Sequence, residues 1–134
     1  MELLKKIQAK QAKLGVIGLG YVGLPLAVEF ARAGFHVVGY DVDAFKVGEL
    51  MAGRSYIPDV SSAHLAEVVT SGHFVASTDA KALADMDIID ICVPTPLRKT
   101  KDPDMTYVVQ AVEAVAAVLR KGQLIILEST TYPG

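Results

Sequence analysis

Short apolar runs alternate along this chain with stretches in which apolar residues recur every three or four positions. The runs predict strands over residues 14–18, 36–41, 73–76, 87–93 and 123–128, and the helical spacing predicts helices over about 21–33, 43–51, 62–70, 79–85 and 105–120. Strand and helix in strict alternation build a parallel sheet with helices on both faces, an α/β doubly wound architecture of five or more strands. The last two strand segments are near-continuous apolar runs, which predicts burial on both faces. The last helix sets Val108, Val109, Val112, Val115, Ala116 and Leu119 on one stripe expected to face the core, with Asp104 as its N-cap and Gly122 just past its end. Residues 2–12 carry apolar positions at helical spacing among lysines and glutamines, so residues 1–13 read as a lead-in helix and 14–134 as the domain proper. The loops at 52–61 and 94–104 are long enough to serve a purpose.

One turn carries chemistry. The first strand runs into Gly18-Leu19-Gly20-Tyr21-Val22-Gly23, and Pro25, Leu26, Ala27, Val28, Phe30 and Ala31 then suit a helix. A G-x-G-x-x-G turn between strand and helix points unpaired N–H groups and the positive end of the helix dipole at a phosphate. Gly18 makes the tight turn, Gly20 admits the pyrophosphate without a Cβ in the way, and Gly23 lets the helix pack close to the sheet. The second strand ends in Asp41, eighteen residues past the last glycine. Its carboxylate can accept from both ribose hydroxyls of an adenosine and repels the 2′-phosphate of NADP, so the cofactor read from these residues is NAD in a Rossmann-like fold. The bland reading, turns followed by a helix cap, leaves the combination of strand, helix, second strand and acid unexplained.

Composition adds exclusions. The chain has 134 residues, one domain's length, with 51% apolar and 21% charged positions, and a net charge of −2 that gives no electrostatic footprint for nucleic acid or an anionic membrane surface. No apolar stretch approaches the length of a membrane span and no export signal is read, so the expectation is a cytoplasmic protein. The single cysteine, Cys92, lies in an apolar run, where it reads as an inert core thiol. His36, His64 and His73 show no metal spacing, and no metal site is expected.

Three segments lift the reading to a family. Gly18-Leu19-Gly20-Tyr21-Val22-Gly23-Leu24-Pro25, Val93-Pro94-Thr95-Pro96 and Glu128-Ser129-Thr130-Thr131-Tyr132-Pro133-Gly134 together resemble the N-terminal NAD-binding domain of the UDP-glucose/GDP-mannose dehydrogenase family. The Ser-Thr-Thr-Tyr-Pro-Gly segment, residues 57–62 and Asp102-Pro103-Asp104 look most like its UDP-N-acetylglucosamine 6-dehydrogenase branch. The resemblance implies two successive hydride transfers to NAD that take the sugar C6 alcohol to a carboxylate through a thiohemiacetal and a thioester. It also implies a nucleotide-sugar substrate and a homo-oligomer.

Carried onto this chain, the resemblance has Gly18, Leu19, Gly20, Tyr21, Val22 and Gly23 wrap the pyrophosphate and Asp41 hold the adenosine ribose. Lys46 matches a basic residue of the family and would screen the diphosphate or adenosine edge, although a lysine in that helix reads equally as solvated. Val93, Pro94, Thr95 and Pro96 would present the Thr95 hydroxyl and backbone from a rigid turn, or simply end a strand. Ser129, Thr130 and Thr131 would lie near the nicotinamide, with Thr130 positioning a catalytic water unless it only closes a strand. Glu128 is assigned no catalytic role, and Arg98, Lys99 and Lys101 read as a solvated basic loop.

The family's nucleophilic cysteine, catalytic lysine and asparagine match nothing in these residues, so the chain looks cut short and is expected to bind NAD without turnover. Two alternatives stay open: a β-hydroxyacid or 6-phosphogluconate type of dehydrogenase, which shares the opening strand and glycine turn, and a non-catalytic dinucleotide-sensing module.

Overall fold

The computed structural model describes residues 3–94, 98–100 and 104–128. Its centre is a five-stranded, all-parallel sheet of β1 (Lys13–Ile17), β2 (His36–Tyr40), β3 (Phe74–Ser77), β4 (Ile88–Ile91) and β5 (Leu124–Leu127), in the order β3-β2-β1-β4-β5. The order reverses between β1 and β4, so the carboxyl ends of those two strands frame the crevice where an open α/β sheet takes its ligand.

Helices cover both faces, as the alternating pattern predicts. On one face α2 (Gly23–Arg32), α3 (Ala44–Met51) and α4 (Ser62–Ser71) contribute Leu24, Ala27, Val28, Leu50, Leu65 and Val68 to a core with Leu14, Val16, Val37, Phe74 and Ile88. On the other, Ala111 and Val115 of α5 (Thr106–Val118) meet Ile17, Leu83, Ile89 and Ile91. A short α1 (Leu3–Gln8) leads in, with Leu3 and Ile7 packed on the first core. Both β4 and α4 show local rules acting cleanly. Every β4 residue is buried, and α4 starts where the Ser61 hydroxyl accepts from the His64 amide and stops at left-handed Gly72.

Four expectations need correction. The helix expected over 79–85 is a single 3₁₀ turn, Ala80–Leu83, because Asp79 caps it at Lys81 and the chain must enter β4 a few residues later. The buried stripe of α5 is Val108, Ala111 and Val115; Val109, Val112, Ala116 and Leu119 are exposed. Asp104 stands one residue before the helix N-cap, Met105, and its carboxylate accepts from the Thr106 amide at 2.9 Å. Finally, β5 is an edge strand: Leu124, Ile126 and Leu127 are exposed, and only Ile125 joins the packed side. An uninterrupted apolar run cannot distinguish a strand at the sheet's edge from one at its centre.

The lower end of the sheet is tied by Asp87, a buried carboxylate. It accepts from the Lys13 amide at 2.9 Å and from Lys6 Nζ at 2.9 Å, and Arg120 stands 3.5 Å away. Arg120 also donates to the carbonyls of Ala84, Asp85 and Met86. One buried charge thus joins α1, β1, β4 and the end of α5. Among the described residues no helix is long and apolar enough to cross a membrane.

Candidate functional site: a glycine turn at the sheet's switch point

The glycine turn begins where β1 ends. Gly18 has φ +95°, and a Cβ there would also lie 2.6 Å from the Cys92 carbonyl oxygen at the end of β4, so the turn out of β1 requires glycine twice over. Gly23 opens α2 directly against this turn. Gly20 differs, because a Cβ there would meet nothing within 4 Å. The space beside its Cα is open. Among the described residues none accepts the N–H groups of Gly20, Tyr21, Val22 or Gly23. That leaves a row of free donors at a helix start, the arrangement that holds a pyrophosphate without a basic side chain.

Asp41 sits at the end of β2 with both carboxylate oxygens engaged. Oδ2 accepts from the Leu19 amide at 3.0 Å and Oδ1 from the Asp43 amide at 2.9 Å, while Asp43 caps α3 through the amides of Phe45 and Lys46. Each oxygen keeps a lone pair for a further donor, which suits a ribose diol. Asp41 therefore also ties β2 to the glycine turn. Leu19 contributes through its backbone, since its side chain is fully buried; Tyr21 and Val22 are exposed on the turn.

Beside the turn a cavity of about 180 Å³ opens between Gly18, Tyr40, Asp41, Val42 and Lys46 on one side and Val93, Pro94, Tyr107, Gln110 and Ala111 on the other. Lys46 thus lies on the cavity wall, with its ammonium 5.9 Å from the centre of the Tyr56 ring. Val93 and Pro94 line the same space from the end of β4. Thr95 and Pro96, and Ser129, Thr130 and Thr131 with Tyr132, Pro133 and Gly134, lie outside the described residues. Arg98 faces the Asp104 carboxylate at 3.5 Å.

Several residues that sequence reasoning missed belong to this region. Tyr107 and Gln110 line the cavity from the first turns of α5, a helix read only for its apolar stripe. Tyr56, in the loop flagged for its length, donates its hydroxyl to the Leu19 carbonyl. Burial and the charges of Asp41 and Asp43 push the Tyr56 phenol well above its usual range, so it remains a donor. On the α2 side of the sheet, Asp90, Cys92 and Glu128 bring donor atoms within 4.8 Å of one another. The Cys92 thiol lies 3.5 Å from both carboxylates. Burial, with the Glu128 charge beside it, raises Asp90 to about 6; burial and both carboxylates push the Cys92 thiol far up, in keeping with an inert core thiol. An aspartate inside an apolar strand was the available signal for this cluster.

A parallel sheet with a glycine turn at its reversal point, free N–H groups at a helix start and an acid at the end of the second strand defines a dinucleotide-binding domain. Residues 12–134 match the model of the UDP-glucose/GDP-mannose dehydrogenase family, NAD binding domain, and the chain belongs to that family. The cofactor of the fold is accordingly NAD. The chain is 40% identical over 125 residues to a UDP-N-acetyl-D-glucosamine 6-dehydrogenase of Pseudomonas aeruginosa, covering 93% of this chain and 29% of that protein. A UDP-N-acetyl-D-mannosamine dehydrogenase of Pyrococcus horikoshii is 38% identical over 124 residues, covering 91% of this chain and 29% of that protein. Among solved structures, a UDP-D-ManNAc dehydrogenase from Pyrococcus horikoshii superposes with a TM-score of 0.83 at 38% identity, over 91% of this chain and 29% of that one. The chain thus spans under a third of the length of these relatives.

Proposed function

We propose that this chain is the cofactor-binding domain of a nucleotide-sugar 6-dehydrogenase that oxidises a UDP-N-acetylhexosamine at C6, from alcohol to carboxylate, by two hydride transfers to NAD. The observation that carries the proposal is family membership joined to a glycine turn whose free amides sit at the sheet's switch point. The substrate class rests on relatives named for UDP-N-acetylglucosamine and UDP-N-acetylmannosamine.

In this reading residues 14–134 form the dinucleotide-binding domain and 1–13 its lead-in. The amides of the 18–23 turn hold the pyrophosphate, Asp41 the adenosine ribose, and the cavity walled by Lys46, Val93, Pro94, Tyr107 and Gln110 takes the adenosine. The family resemblance assigns Thr95 and Pro96 to cofactor binding and Ser129, Thr130 and Thr131 to the nicotinamide end, with Thr130 positioning a water. The nucleophilic cysteine is supplied from outside these residues, because Cys92 is buried with its thiol kept protonated. A cytoplasmic homo-oligomer goes with this reading.

A calorimetric titration with NAD and NADP, on the wild type and on Asp41→Asn, tests the cofactor reading. The wild type should prefer NAD at least tenfold, and Asn, which keeps an acceptor for the Leu19 amide but loses the charge, should narrow that preference. Folded wild type that bound neither, or preferred NADP, would overturn the proposal. At the protein's native length, NADH formation with UDP-N-acetylglucosamine against UDP-N-acetylmannosamine settles the sugar.

A further inference from the structure

We infer that Tyr56 is a positioning residue for cofactor binding, whose hydroxyl sets the Leu19–Gly20 peptide so that the Gly20 N–H faces the dinucleotide pyrophosphate. The inference rests on the proposed NAD site and adds to it a residue 37 positions from its hydrogen-bond partner in the glycine turn.

The two peptides flanking Leu19 are gripped from opposite sides. The Leu19 amide donates to Asp41 Oδ2 at 3.0 Å, and the Leu19 carbonyl accepts from the Tyr56 hydroxyl at 2.5 Å. Between them the Leu19 side chain is fully buried, and a Cβ on Gly39 would stand 2.7 Å from its Cδ2, so this side chain fills the space over β2. With both peptides and the side chain held, the backbone at Leu19 has no freedom to rotate. The next peptide is held too, since the Gly20 carbonyl accepts from the Leu24 amide at 3.1 Å.

The carbonyl of Leu19 and the N–H of Gly20 belong to one planar trans peptide and point in opposite directions. A hydroxyl that holds the carbonyl on the loop side therefore sends the N–H to the other side. No described residue accepts that N–H, and the backbone at Gly20 is uncrowded, a Cβ there meeting nothing within 4 Å. Without the hydroxyl, the carbonyl would lose its partner and the peptide could rotate, costing order in the donor that meets the ligand.

The loop that delivers Tyr56 is built to hold it still. Ile57 and Val60 are buried in the core, the Ser55 amide donates to the Ser62 hydroxyl at 3.1 Å, and Arg54 pairs with Glu49 at 2.8 Å. The ring itself packs against the core with the Lys46 ammonium beyond it. Tyr56→Phe keeps the ring, its packing and the Lys46 contact, and removes one hydroxyl.

The test compares wild type and Tyr56→Phe for NAD, ADP-ribose and adenosine, read by amide chemical shifts of the isotope-labelled chain. NAD and ADP-ribose should bind the variant about five- to tenfold more weakly while adenosine, which has no pyrophosphate, binds equally well. The Gly20 amide resonance should also move in the ligand-free variant. Equal losses for all three ligands would mean a merely structural tyrosine and overturn the inference, as would unchanged NAD affinity. Wild type that failed to bind NAD would instead bring down the underlying cofactor reading.

Discussion

A Cβ built on Gly23 would stand 1.8 Å from the carbonyl oxygen of Gly18, so the first turn of α2 and the end of β1 touch backbone to backbone. This contact brings the helix start against the crevice, and it makes the glycines of one motif separable by experiment. Gly23→Ala must push α2 away from the sheet and should cost about 2–3 kcal/mol of stability. Gly20→Ala adds a methyl where nothing stands, so it should leave stability within about 0.5 kcal/mol of wild type and still weaken NAD binding. Thermal melts beside NAD titrations check both halves. A Gly20→Ala variant that melts early would show that this glycine serves the fold instead.

Asp87 gives a second expectation, with a definite pH window. Burial pushes its carboxyl up, but the Lys13 amide, the Lys6 ammonium and Arg120 outweigh this and hold it below the usual range. A carboxylate with a lowered folded-state pKa stabilises the fold above its unfolded value near 4, and that contribution is lost as pH falls through the folded value. Asp87→Asn should therefore cost about 2–3 kcal/mol at pH 7, because a charge-assisted cluster is left without its acceptor charge. The gap to wild type should close as denaturant midpoints are followed below pH 4. A gap that persisted undiminished into acid would mean that shape, not charge, explains the loss.

What the sequence disclosed and what it hid divide along a physical line. The β1–turn–α2–β2 unit is legible because every signal in it is local: an apolar run, three glycines at fixed offsets, and an acid at a strand end. The role of Asp41 in fastening the turn was not, because its Leu19 bond depends on where β2 pairs with β1, Ile17 opposite Tyr40. Tyr56 sits in a loop with no periodicity, so nothing local marks its hydroxyl. The α5 stripe was misplaced because neighbouring valines satisfy several helical faces at once, and only packing beside Leu83, Ile89 and Ile91 selects Ala111 and Val115, with Val108 buried a turn earlier. The cluster of Asp90, Cys92 and Glu128 needed the β4–β5 register, with Ile91 opposite Leu127, before its two carboxylates could be seen as neighbours.

That cluster supplies the last expectation. Asp90 is 6% exposed, and burial first, then the Glu128 charge, raise its carboxyl to about 6. A carboxyl raised above its unfolded value near 4 binds a proton in the folded state that the unfolded chain has already released. Stability therefore falls as pH rises from about 4 to about 6, and the penalty stays constant above that. Asp90→Asn removes the titrating group and keeps its shape, so it should exceed wild type in stability by about 1–2 kcal/mol at pH 8, with the advantage vanishing near pH 4. Glu128→Gln separates the two causes. It removes the neighbouring charge but not the burial, so the pH-dependent step should move to lower pH without disappearing. Urea midpoints across pH 4–8 for the three proteins decide the matter: an Asp90→Asn variant less stable than wild type at pH 8 would mean that the carboxyl's hydrogen bonds to its neighbours outweigh the cost of burying its charge.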